Sequence, residues 1–358
     1  MTKLKSKDTI YFNVADDVKN HPNSWCFIVV GGRGTGKTYG ALYDCMHTKR
    51  KFVFVKRTIE DVNMMCGRGR MTEYEVNLSP FAPINRDYGT DVRAIPITKG
   101  LCGFWTHVND KPKEMIGYVV ALNAVSKIKG FNMSVCDWII FDEFIPQPWD
   151  RVNRKEGEQV LDLYKTVARD REQRGQEPLK LVCLANAVGI INPVFQIFEI
   201  TDDVTRMQFE GVEYLERNGV LVHLLKTSNA FMDTEKKSVV YGTLHDTDWG
   251  RMAYDNEFAY NDFTHVHKAS IKGCVPVFKL LYRKKYIYGY KSDIGWVLTR
   301  SKSTKIEDFF DLSRETEQRR FNLAYRIDVR DATIDGCVAF ETYTMYDLIM
   351  NYTDIFKI

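Results

Sequence analysis

The sequence predicts an α/β protein with a mostly parallel sheet, followed by a smaller α+β domain. Several short apolar runs bounded by turns are typical of buried parallel strands, and a glycine-rich turn and a helix follow the first run. From about residue 263, closely spaced strands predict a second domain. We therefore expect the larger domain over residues 1–231, a linker over 232–262 and the smaller domain over 263–358.

The first strand–helix unit lies near the start of the chain. The apolar run WCFIVV at 25–30 predicts a buried strand, and Lys37 to His47 has the pattern of a helix. KFVFVKR at 51–57 predicts the next strand. This β–α–β order implies that a ligand binds at the carboxyl ends of the strands.

An antiparallel insertion or edge is predicted after about Pro80. GLCGFWTHVNDKPKEMIGYVVALN has the pattern of a hairpin with its turn at Asn109-Asp110-Lys111. SVCDWIIFDEF and LKLVCLANAV predict two more buried strands, with a helix between them that stops near Gly175. The run GVLVHLLKT at 219–227 is expected to be the last strand of the domain.

The rest of the chain has a different pattern. The polar, turn-rich stretch over 232–262 predicts a linker with one or two short helices, VPVFKLLYRKKYIYGYKSDIGWVLTRSK predicts a β-meander, and YTMYDLIMNYTDIF predicts a helical tail. Eight basic residues lie from Lys279 to Lys305 against the single acid Asp293, interleaved with aromatic residues. This stripe could hold nucleic-acid phosphates or could be an ordinary solvated face.

Composition limits the possible functions. The formal net charge is only +3, so any nucleic-acid contact must come from local patches. No apolar run reaches ~18 residues and the start of the chain lacks a signal-peptide pattern, so we expect a cytosolic protein without a membrane span. The eight cysteines include no C-x-x-C pair, so we expect buried free thiols rather than disulfides or a zinc site.

The segment GGRGTGKT matches the phosphate-binding pattern G-x-x-x-x-G-K-[ST]. Gly34 and Gly36 let backbone N–H groups face phosphate oxygens, and the next helix adds its positive dipole end. Lys37 would reach the β- and γ-phosphates of ATP, and the Thr38 hydroxyl would ligate Mg²⁺. A chance glycine-rich turn is the alternative, which the strand before and the helix after it disfavour. The predicted nucleotide-binding residues are Gly31, Gly32, Arg33, Gly34, Thr35, Gly36, Lys37 and Thr38.

The strand WIIFDEF ends in two adjacent acids, Asp142 and Glu143. Consecutive residues at a strand end point in opposite directions, so the two carboxylates can have different roles. Asp142 suits a position at Mg²⁺, either bound directly or holding one of its ligands, and Glu143 suits a catalytic base that orients or deprotonates an attacking water. An acidic turn without function is the alternative. Together with the phosphate loop, the pair indicates an enzyme that hydrolyses ATP.

Two further polar residues are candidates for catalysis. Arg33 lies inside the phosphate loop and could reach the γ-phosphate or a partner's carboxylate, or it could be solvated at the loop tip. Asn186 ends the strand LVCLANAV and could contact the attacking water or the γ-phosphate. The alternative for Asn186 is a cap of the following turn.

TVARDREQR places several arginines on one predicted helix. Arg169 and Arg171 are two residues apart and do not share a face. One of these arginines could act as an arginine finger toward a neighbouring subunit. The alternative is a solvated helical face, which is the usual role of a charge run.

Four motifs taken in order, GGRGTGKT, IIFDEF, TVARDRE and CLANAVGIINPVF, resemble the DNA-packaging ATPases (encapsidation proteins) of phi twenty-nine-type small podoviruses. The resemblance spans most of residues 25–200, and a weaker similarity continues to about 258. It implies an ASCE-type P-loop ATPase that uses ATP and Mg²⁺ to drive double-stranded DNA through the viral portal into a procapsid. It also implies a homo-oligomeric ring, expected as a pentamer, in the host cytoplasm and transiently on the procapsid. Some family members bind a packaging RNA, which is therefore a further candidate partner.

The resemblance also assigns roles to residues. Lys37 and Thr38 match the phosphate loop, Asp142 and Glu143 match the Walker B pair, and Arg169 matches the trans-acting arginine finger. Lys129 in VSKIKGF matches a basic residue proposed to face DNA in the pore of the ring, and Lys127 is also basic, which favours a basic loop. The candidate DNA contacts are Lys127, Lys129 and Lys56.

For the second domain the resemblance implies an RNase H-like fold related to terminase nucleases but without their activity. An active nuclease of that type needs several carboxylates converging on Mg²⁺. The candidate first strand VPVFKLLY carries none, and the acids from Asp328 to Asp335 cluster in one segment. We therefore expect a DNA-packaging motor. The alternatives are a terminase-like ATPase with an active nuclease and a nucleotide-dependent, ring-forming binding protein.

Overall fold

The computed structural model describes residues 11–66, 79–128, 130–150 and 152–351. The chain divides into two compact units. The two units comprise Met1–Phe198 with Met207–Tyr260, and Glu199–Arg206 with Asn261–Ile358.

The first unit is built on a nine-stranded sheet. Its strands are β1 Cys26–Val30, β2 Phe52–Lys56, β3 Val92–Thr98, β4 Leu101–Val108, β5 Lys111–Ala121, β6 Trp138–Asp142, β7 Lys180–Ala185, β8 Tyr214–Arg217 and β9 Val220–Leu224. They lie in the order β3-β4-β5-β2-β6-β7-β1-β9-β8. The inner strands from β5 to β9 run parallel, while β3, β4 and β8 pair antiparallel at the edges. The predicted mostly parallel sheet is confirmed.

The central strands are buried along their whole length. Every residue of β1, β6 and β9 is buried, as expected for parallel strands that are covered on both faces. Phe27, Phe54 and Ile140 from these strands and their neighbour β2 lie in one core cluster. A packed core therefore fixes the strand ends where the functional side chains lie.

The helices of the first unit are short to medium in length. Those described are Val14–Asn20, Lys37–His47, Ile59–Cys66, Ala82–Tyr88, Val125–Ile128, Glu156–Ala168, Pro193–Ile197, Asn229–Glu235, Val239–Leu244 and Asp248–Gly250. The helix predicted from Lys37 to His47 is confirmed at both ends. The predicted hairpin is also confirmed, because Asn109 and Asp110 adopt positive φ angles of 51° and 61° between β4 and β5.

Two expectations about this unit differ from the structure. The helix expected to stop near Gly175 ends at Ala168, because Arg169 takes a positive φ of 46° and only a 3₁₀ turn follows over Glu172–Arg174. The segment expected to be a linker folds with the first unit as far as Tyr260. Its helices are capped by Ser228, Ser238 and Thr247. Four of its apolar side chains are buried and anchor it to the unit, namely Met252, Ala253, Tyr254 and Phe258, whereas Val239, Val240 and Leu244 are exposed.

The expectation of free thiols throughout is wrong at one pair. Cys66 and Cys102 form a disulfide that joins the helix Ile59–Cys66 to β4, across a sequence separation of 36 residues. The fold brings these two residues together, and their spacing in sequence carries no signal of it. Cys26, Cys45, Cys136 and Cys183 are free and buried as expected, whereas Cys337 is free and exposed.

The second unit contains a five-stranded sheet. Its strands are β10 Val275–Tyr282, β11 Lys285–Ser292, β12 Gly295–Thr299, β13 Asp308–Asp311 and β14 Val338–Phe340. β10, β11 and β12 form an antiparallel meander, as predicted, while β13 and β14 run parallel to β10 and β12. Helices Thr201–Glu210 (shared between the units), Glu315–Phe321, Ile327–Ile334 and Tyr343–Met350 complete the described fold. In the part of the chain that the structure describes, no helix is long and apolar enough to cross a membrane.

Candidate active site

Four neighbouring strands of the first sheet end at one edge and bring the predicted site residues together. In the order β2-β6-β7-β1, their ends carry Lys56, the pair Asp142 and Glu143, Asn186 and the loop Gly31–Thr38. These residues are up to 155 positions apart in sequence, from Gly31 to Asn186. Asp142, Glu143, Asn186 and the loop residues from Arg33 to Thr38 line a cavity of about 420 Å³ at the carboxyl ends of the strands, where α/β sheets bind ligands.

The phosphate loop has the backbone that its glycines predict. Gly34 and Gly36 adopt φ angles of 72° and 88°, a left-handed conformation in which other residues are strained. The Thr35 hydroxyl donates a hydrogen bond to the Gly32 carbonyl at 3.0 Å, which closes the loop on itself. The Gly31 N–H donates to the Ala185 carbonyl at 3.1 Å and ties the loop to β7.

Lys37 is buried at the centre of the loop. Its ammonium donates to the carbonyl oxygens of Gly31 and Gly32 at 3.0 and 2.6 Å, and to Asn186 Oδ1 at 3.2 Å. Burial lowers the pKa of Lys37 to about 8, although the nearby Asp142 carboxylate opposes the shift. Asn186 therefore lies against the phosphate-loop lysine, where a γ-phosphate would alter its contacts.

Thr38 and Asp142 form an oxygen pair that fits Mg²⁺. The Thr38 hydroxyl donates to Asp142 Oδ1 at 2.7 Å, so both oxygens lie beside the phosphate loop. Hydroxyl, carboxylate and phosphate oxygens are the ligands that Mg²⁺ prefers. Glu143 takes a positive φ of 57°, and its side chain is 64% exposed.

Lys56 lies inside this site rather than on an open basic surface. Its ammonium donates to Asp142 Oδ2 and to Glu143 Oε2, each at 2.8 Å. Burial opposes the charge, but the two carboxylates outweigh it and raise the pKa of Lys56. The structure places Lys56 at the acidic pair, because β2 is the direct neighbour of β6, and its expected contact with DNA stays a prediction.

Arg57 is a site residue that sequence reasoning missed. Its guanidinium donates to the carbonyl oxygens of Glu143 and Phe144 at 2.9 and 3.1 Å, and to Glu156 Oε2 at 2.8 Å. Glu156 is buried, and this burial raises its pKa while Arg57 acts in the opposite direction. The buried pair fixes the turn that carries Glu143. Nothing in the sequence links Arg57 to a partner that lies 99 residues away.

The segment after residue 247 packs on the phosphate loop. The Arg33 N–H donates to the Ala253 carbonyl at 2.7 Å, and the exposed Arg33 guanidinium lies 5.8 Å from the centre of the Trp249 ring. Asn256 Nδ2 donates to the Val30 carbonyl at 2.9 Å, at the end of β1. The weaker family similarity in YGTLHDTDWGRMAYDNEF was the signal that could have identified this contact.

The predicted helical arginines have separate roles. Arg171 is buried and donates to the Cys136 carbonyl at 2.6 Å and to Asp137, while Arg174 pairs with Asp170 at 2.7 Å. Arg169 is exposed at the helix end, and its guanidinium donates to the Phe131 carbonyl at 2.9 Å. Arg169 and Arg174 are therefore the two exposed members of the group, and Arg169 is the one that the family resemblance matches to an arginine finger.

The candidate DNA contacts outside the site are only partly described. Lys127 is exposed on the short helix Val125–Ile128. Lys129 lies outside the described residues. In the second unit, part of the basic stripe is engaged locally, since Lys279 stacks on Tyr286 and Arg300 pairs with Asp202 at 2.7 Å.

Comparison with known proteins decides the family. The sequence profile of the podovirus DNA encapsidation protein (Gp16) family matches residues 7–313. The chain belongs to this family. The resemblance seen in the sequence motifs is therefore confirmed.

Individual relatives support the same assignment. The chain is 31% identical over 175 residues to the "DNA packaging protein" of Bacillus phage B103, which covers 48% of this chain and 49% of that protein. It is 27% identical over 172 residues to the protein of the same description from Bacillus phage PZA, covering 47% of each. The chain thus spans about half the length of these relatives.

A solved structure shows the shared fold over nearly the whole chain. A chain of the bacteriophage Phi-29 viral genome packaging motor assembly superposes with a TM-score of 0.63 at 17% identity. The match covers 96% of this chain and 99% of that chain. At this identity the likeness concerns the fold, and the roles of individual residues rest on the site geometry above.

Proposed function

We propose that this chain is the ATP-hydrolysing subunit of a ring-shaped motor that moves double-stranded DNA into a viral procapsid. The observation that carries the proposal is the convergence of Lys37, Thr38, Asp142 and Glu143 at one sheet edge, in a member of the encapsidation family. The strand order supports an ASCE-type P-loop domain, because β7 lies between the loop strand β1 and the acidic strand β6.

Each residue of the site has its own proposed role in ATP hydrolysis. Backbone N–H groups of the loop and the Lys37 ammonium bind the phosphates of ATP, and Thr38, held by Asp142, ligates Mg²⁺. When bound, Mg²⁺ neutralises negative charge on the β- and γ-phosphates. Glu143 orients the attacking water and accepts its proton. Asn186, in contact with Lys37, responds to the presence of the γ-phosphate.

In the proposed ring, two arginines and two lysines have further roles. Arg169, exposed at a helix end, reaches the nucleotide of the neighbouring subunit as an arginine finger, and Arg33 offers a second cation from the loop. In a pentameric ring, Lys127 and Lys129 are the proposed DNA contacts. The portal and the procapsid are the further partners, with a packaging RNA as an additional candidate, and the motor works in the host cytoplasm.

The second unit is proposed to be an RNase H-like domain without nuclease activity. The antiparallel β10–β12 meander with β13 parallel to β10 supports this fold, whereas β14 lies beside β12. Asp328 accepts a hydrogen bond from the Trp296 ring at 3.1 Å, and Asp331 pairs with Arg330 at 2.7 Å. Among the described residues no group of three or more His, Cys, Asp or Glu side chains is placed to hold a metal ion. The full chain is expected to leave DNA intact with Mg²⁺ or Mn²⁺.

The test combines nucleotide binding and turnover, measured with and without double-stranded DNA. Lys37→Ala should lose ATP binding, while Glu143→Gln should bind ATP but turn over ~10² to 10⁴ times more slowly. Near-normal turnover in Glu143→Gln would refute the assignment of the base. If the wild-type chain binds ATP and forms rings without turning over, the nucleotide-dependent binding protein is the correct alternative.

A further inference from the structure

A second cavity adjoins the phosphate loop on the side away from the acidic pair. Its volume is about 540 Å³, within the range of pockets that hold small molecules. It shares Gly34, Gly36 and Tyr39 with the cavity that contains Lys37 and Asp142. The two cavities therefore adjoin at the loop, and none of the candidate catalytic residues Arg33, Glu143, Arg169 and Asn186 lines the second one.

Aromatic rings form much of the wall of this second cavity. Tyr39 and Tyr43 are four residues apart on the helix Lys37–His47, so they lie on one face, with ring centres 6.3 Å apart. Tyr43 stacks on Tyr88 of the helix Ala82–Tyr88, with ring centres 4.8 Å apart and an angle of 25°. These rings pack against the buried core, so the core holds their positions.

Polar groups and a close backbone approach complete the cavity. The Tyr39 hydroxyl donates to Asp87 at 3.1 Å, and Asn13 and Asp16 line the cavity from another element. Tyr11 packs so closely on Gly36 that a Cβ at Gly36 would lie 2.8 Å from the Tyr11 Cβ. A fixed aromatic wall with a few polar groups is typical of a small-molecule site.

We propose that this cavity holds the base and ribose of the nucleoside triphosphate, with the base packed on the tyrosine wall. The inference rests on the proposed function, because it takes the phosphates to lie on the Gly31–Thr38 loop. A nucleotide whose phosphates lie there must extend its nucleoside along the surface next to the loop, and this cavity opens at Gly34, Gly36 and Tyr39. Every base has a π face, so stacking on tyrosine gives affinity whichever base is present.

The test separates the contribution of the nucleoside from that of the phosphates. Binding of two probes, ATP and inorganic tripolyphosphate, is measured on the full chain in the presence of Mg²⁺. Tyr43→Ala and Tyr88→Ala should each weaken ATP binding on the order of tenfold, the usual effect of removing one stacking ring, and leave tripolyphosphate binding unchanged. Tyr43→Phe and Tyr88→Phe keep the ring and should bind ATP like the wild type. Tyr260→Ala, an exposed tyrosine outside the cavity, is the matched control and should bind both probes normally.

Three outcomes would overturn the inference. Wild-type ATP affinity in both alanine variants would mean that the rings do not contact the nucleoside. Equal weakening of both probes would mean that the rings only support the fold, and a wild type that binds tripolyphosphate as tightly as ATP would mean that the nucleoside contributes nothing. Failure of the proposed function is distinguishable, because Lys37→Ala would then bind ATP with wild-type affinity.

Discussion

Lys56 pairs with both acids of the site. Its ammonium lies between the carboxylates of Asp142 and Glu143, 2.8 Å from an oxygen of each. Its side chain is only 17% exposed, so solvent screens these pairs less than it screens surface pairs. The lysine compensates two adjacent negative charges and sets the direction of the Glu143 side chain. At the scale of single residues, it links Asp142, a proposed Mg²⁺ ligand, to Glu143, the proposed catalytic base.

Replacing this cation should affect turnover more than binding. Lys56→Met keeps the length of the side chain but leaves Glu143 without its partner, so we expect turnover to fall roughly 10²-fold, as for a misplaced catalytic group. The dissociation constant for ATP should change little, because Lys56 does not contact the phosphate loop. Lys226→Met is the control, since Lys226 is 67% exposed and 3.8 Å from Glu213. Turnover at or above the wild-type rate in Lys56→Met would contradict this role.

The site residues that the sequence could predict are those with a local motif. The loop Gly31–Thr38 and the pair Asp142 and Glu143 each follow an apolar strand, and parallel strand ends meet at one edge. Arg57 and the position of Lys56 depend instead on β2 lying beside β6, where the paired residues Val55 and Phe141 are 86 residues apart in sequence. Motifs identify chemistry, whereas contacts between distant strands need the fold.

At the scale of elements, the turn after the helix Asp248–Gly250 acts as a support for the phosphate loop. The Ala253 carbonyl accepts a hydrogen bond from the Arg33 N–H at 2.7 Å. A Cβ added at Gly32 would lie only 2.5 Å from the same carbonyl oxygen. Thr227 also donates to the Tyr254 carbonyl at 2.7 Å. The loop is thus held from outside the sheet as well as by β7.

A pair of glycine substitutions tests this support. Gly32→Ala should lower the thermal melting temperature and weaken ATP binding, because the added methyl meets backbone, and overpacking costs about 1–3 kcal/mol. Gly242→Ala is the matched control: it lies in the helix Val239–Leu244 with open space around it and should be neutral or stabilising by up to ~1 kcal/mol. If the two variants have the same melting temperature and ATP affinity, the contact with Ala253 does not support the loop.

Most helices and strands were predictable, because the spacing of their apolar residues and the residues at their ends are visible in a short stretch of sequence. The hairpin turn at Asn109 and Asp110 and the start of the helix at Lys37 follow directly from residue type. The linker prediction failed because the segment is polar on average, while a few apolar side chains such as Met252 and Tyr254 decide its burial. The early end of the helix at Ala168 has no sequence signal, since Arg169 is not a residue that favours a positive φ.

At the scale of the whole molecule, the proposed ring makes the site depend on two copies of the chain. Arg169 lies outside the cavity formed by the loop and the acidic pair, and it is exposed. A cation on the transferring phosphate is worth roughly 10³-fold or more in rate, so the proposed arginine finger would make turnover depend on a neighbouring copy.

Mixing two inactive variants tests the sharing of sites. Arg169→Ala and Glu143→Gln should each be inactive alone. Mixed rings should recover part of the ATP turnover, because some subunit interfaces then combine an intact Arg169 with an intact Glu143. Arg174→Ala, whose side chain pairs with Asp170 on the surface, should keep wild-type turnover and serves as the control. No recovery at any ratio, in rings shown to contain both variants, would mean that Arg169 acts within its own chain or only supports the fold.

The fold class and the family were predictable at this scale from the order of four motifs, whereas the limits of the two units were not. The helix Thr201–Glu210 is divided between the units, and the first unit continues to Tyr260. Such a division depends on which core the side chains join, and residue pattern alone does not give it.

The most direct measurement of the central claim is the amount of DNA protected from nuclease inside procapsids of the same virus, determined with ATP for the wild type and for Glu143→Gln. The account predicts protected DNA that increases with ATP turnover for the wild type, and none for Glu143→Gln although this variant still binds ATP and assembles. Protected DNA at the wild-type level with Glu143→Gln, or rapid ATP turnover by the wild type without protected DNA, would contradict the account.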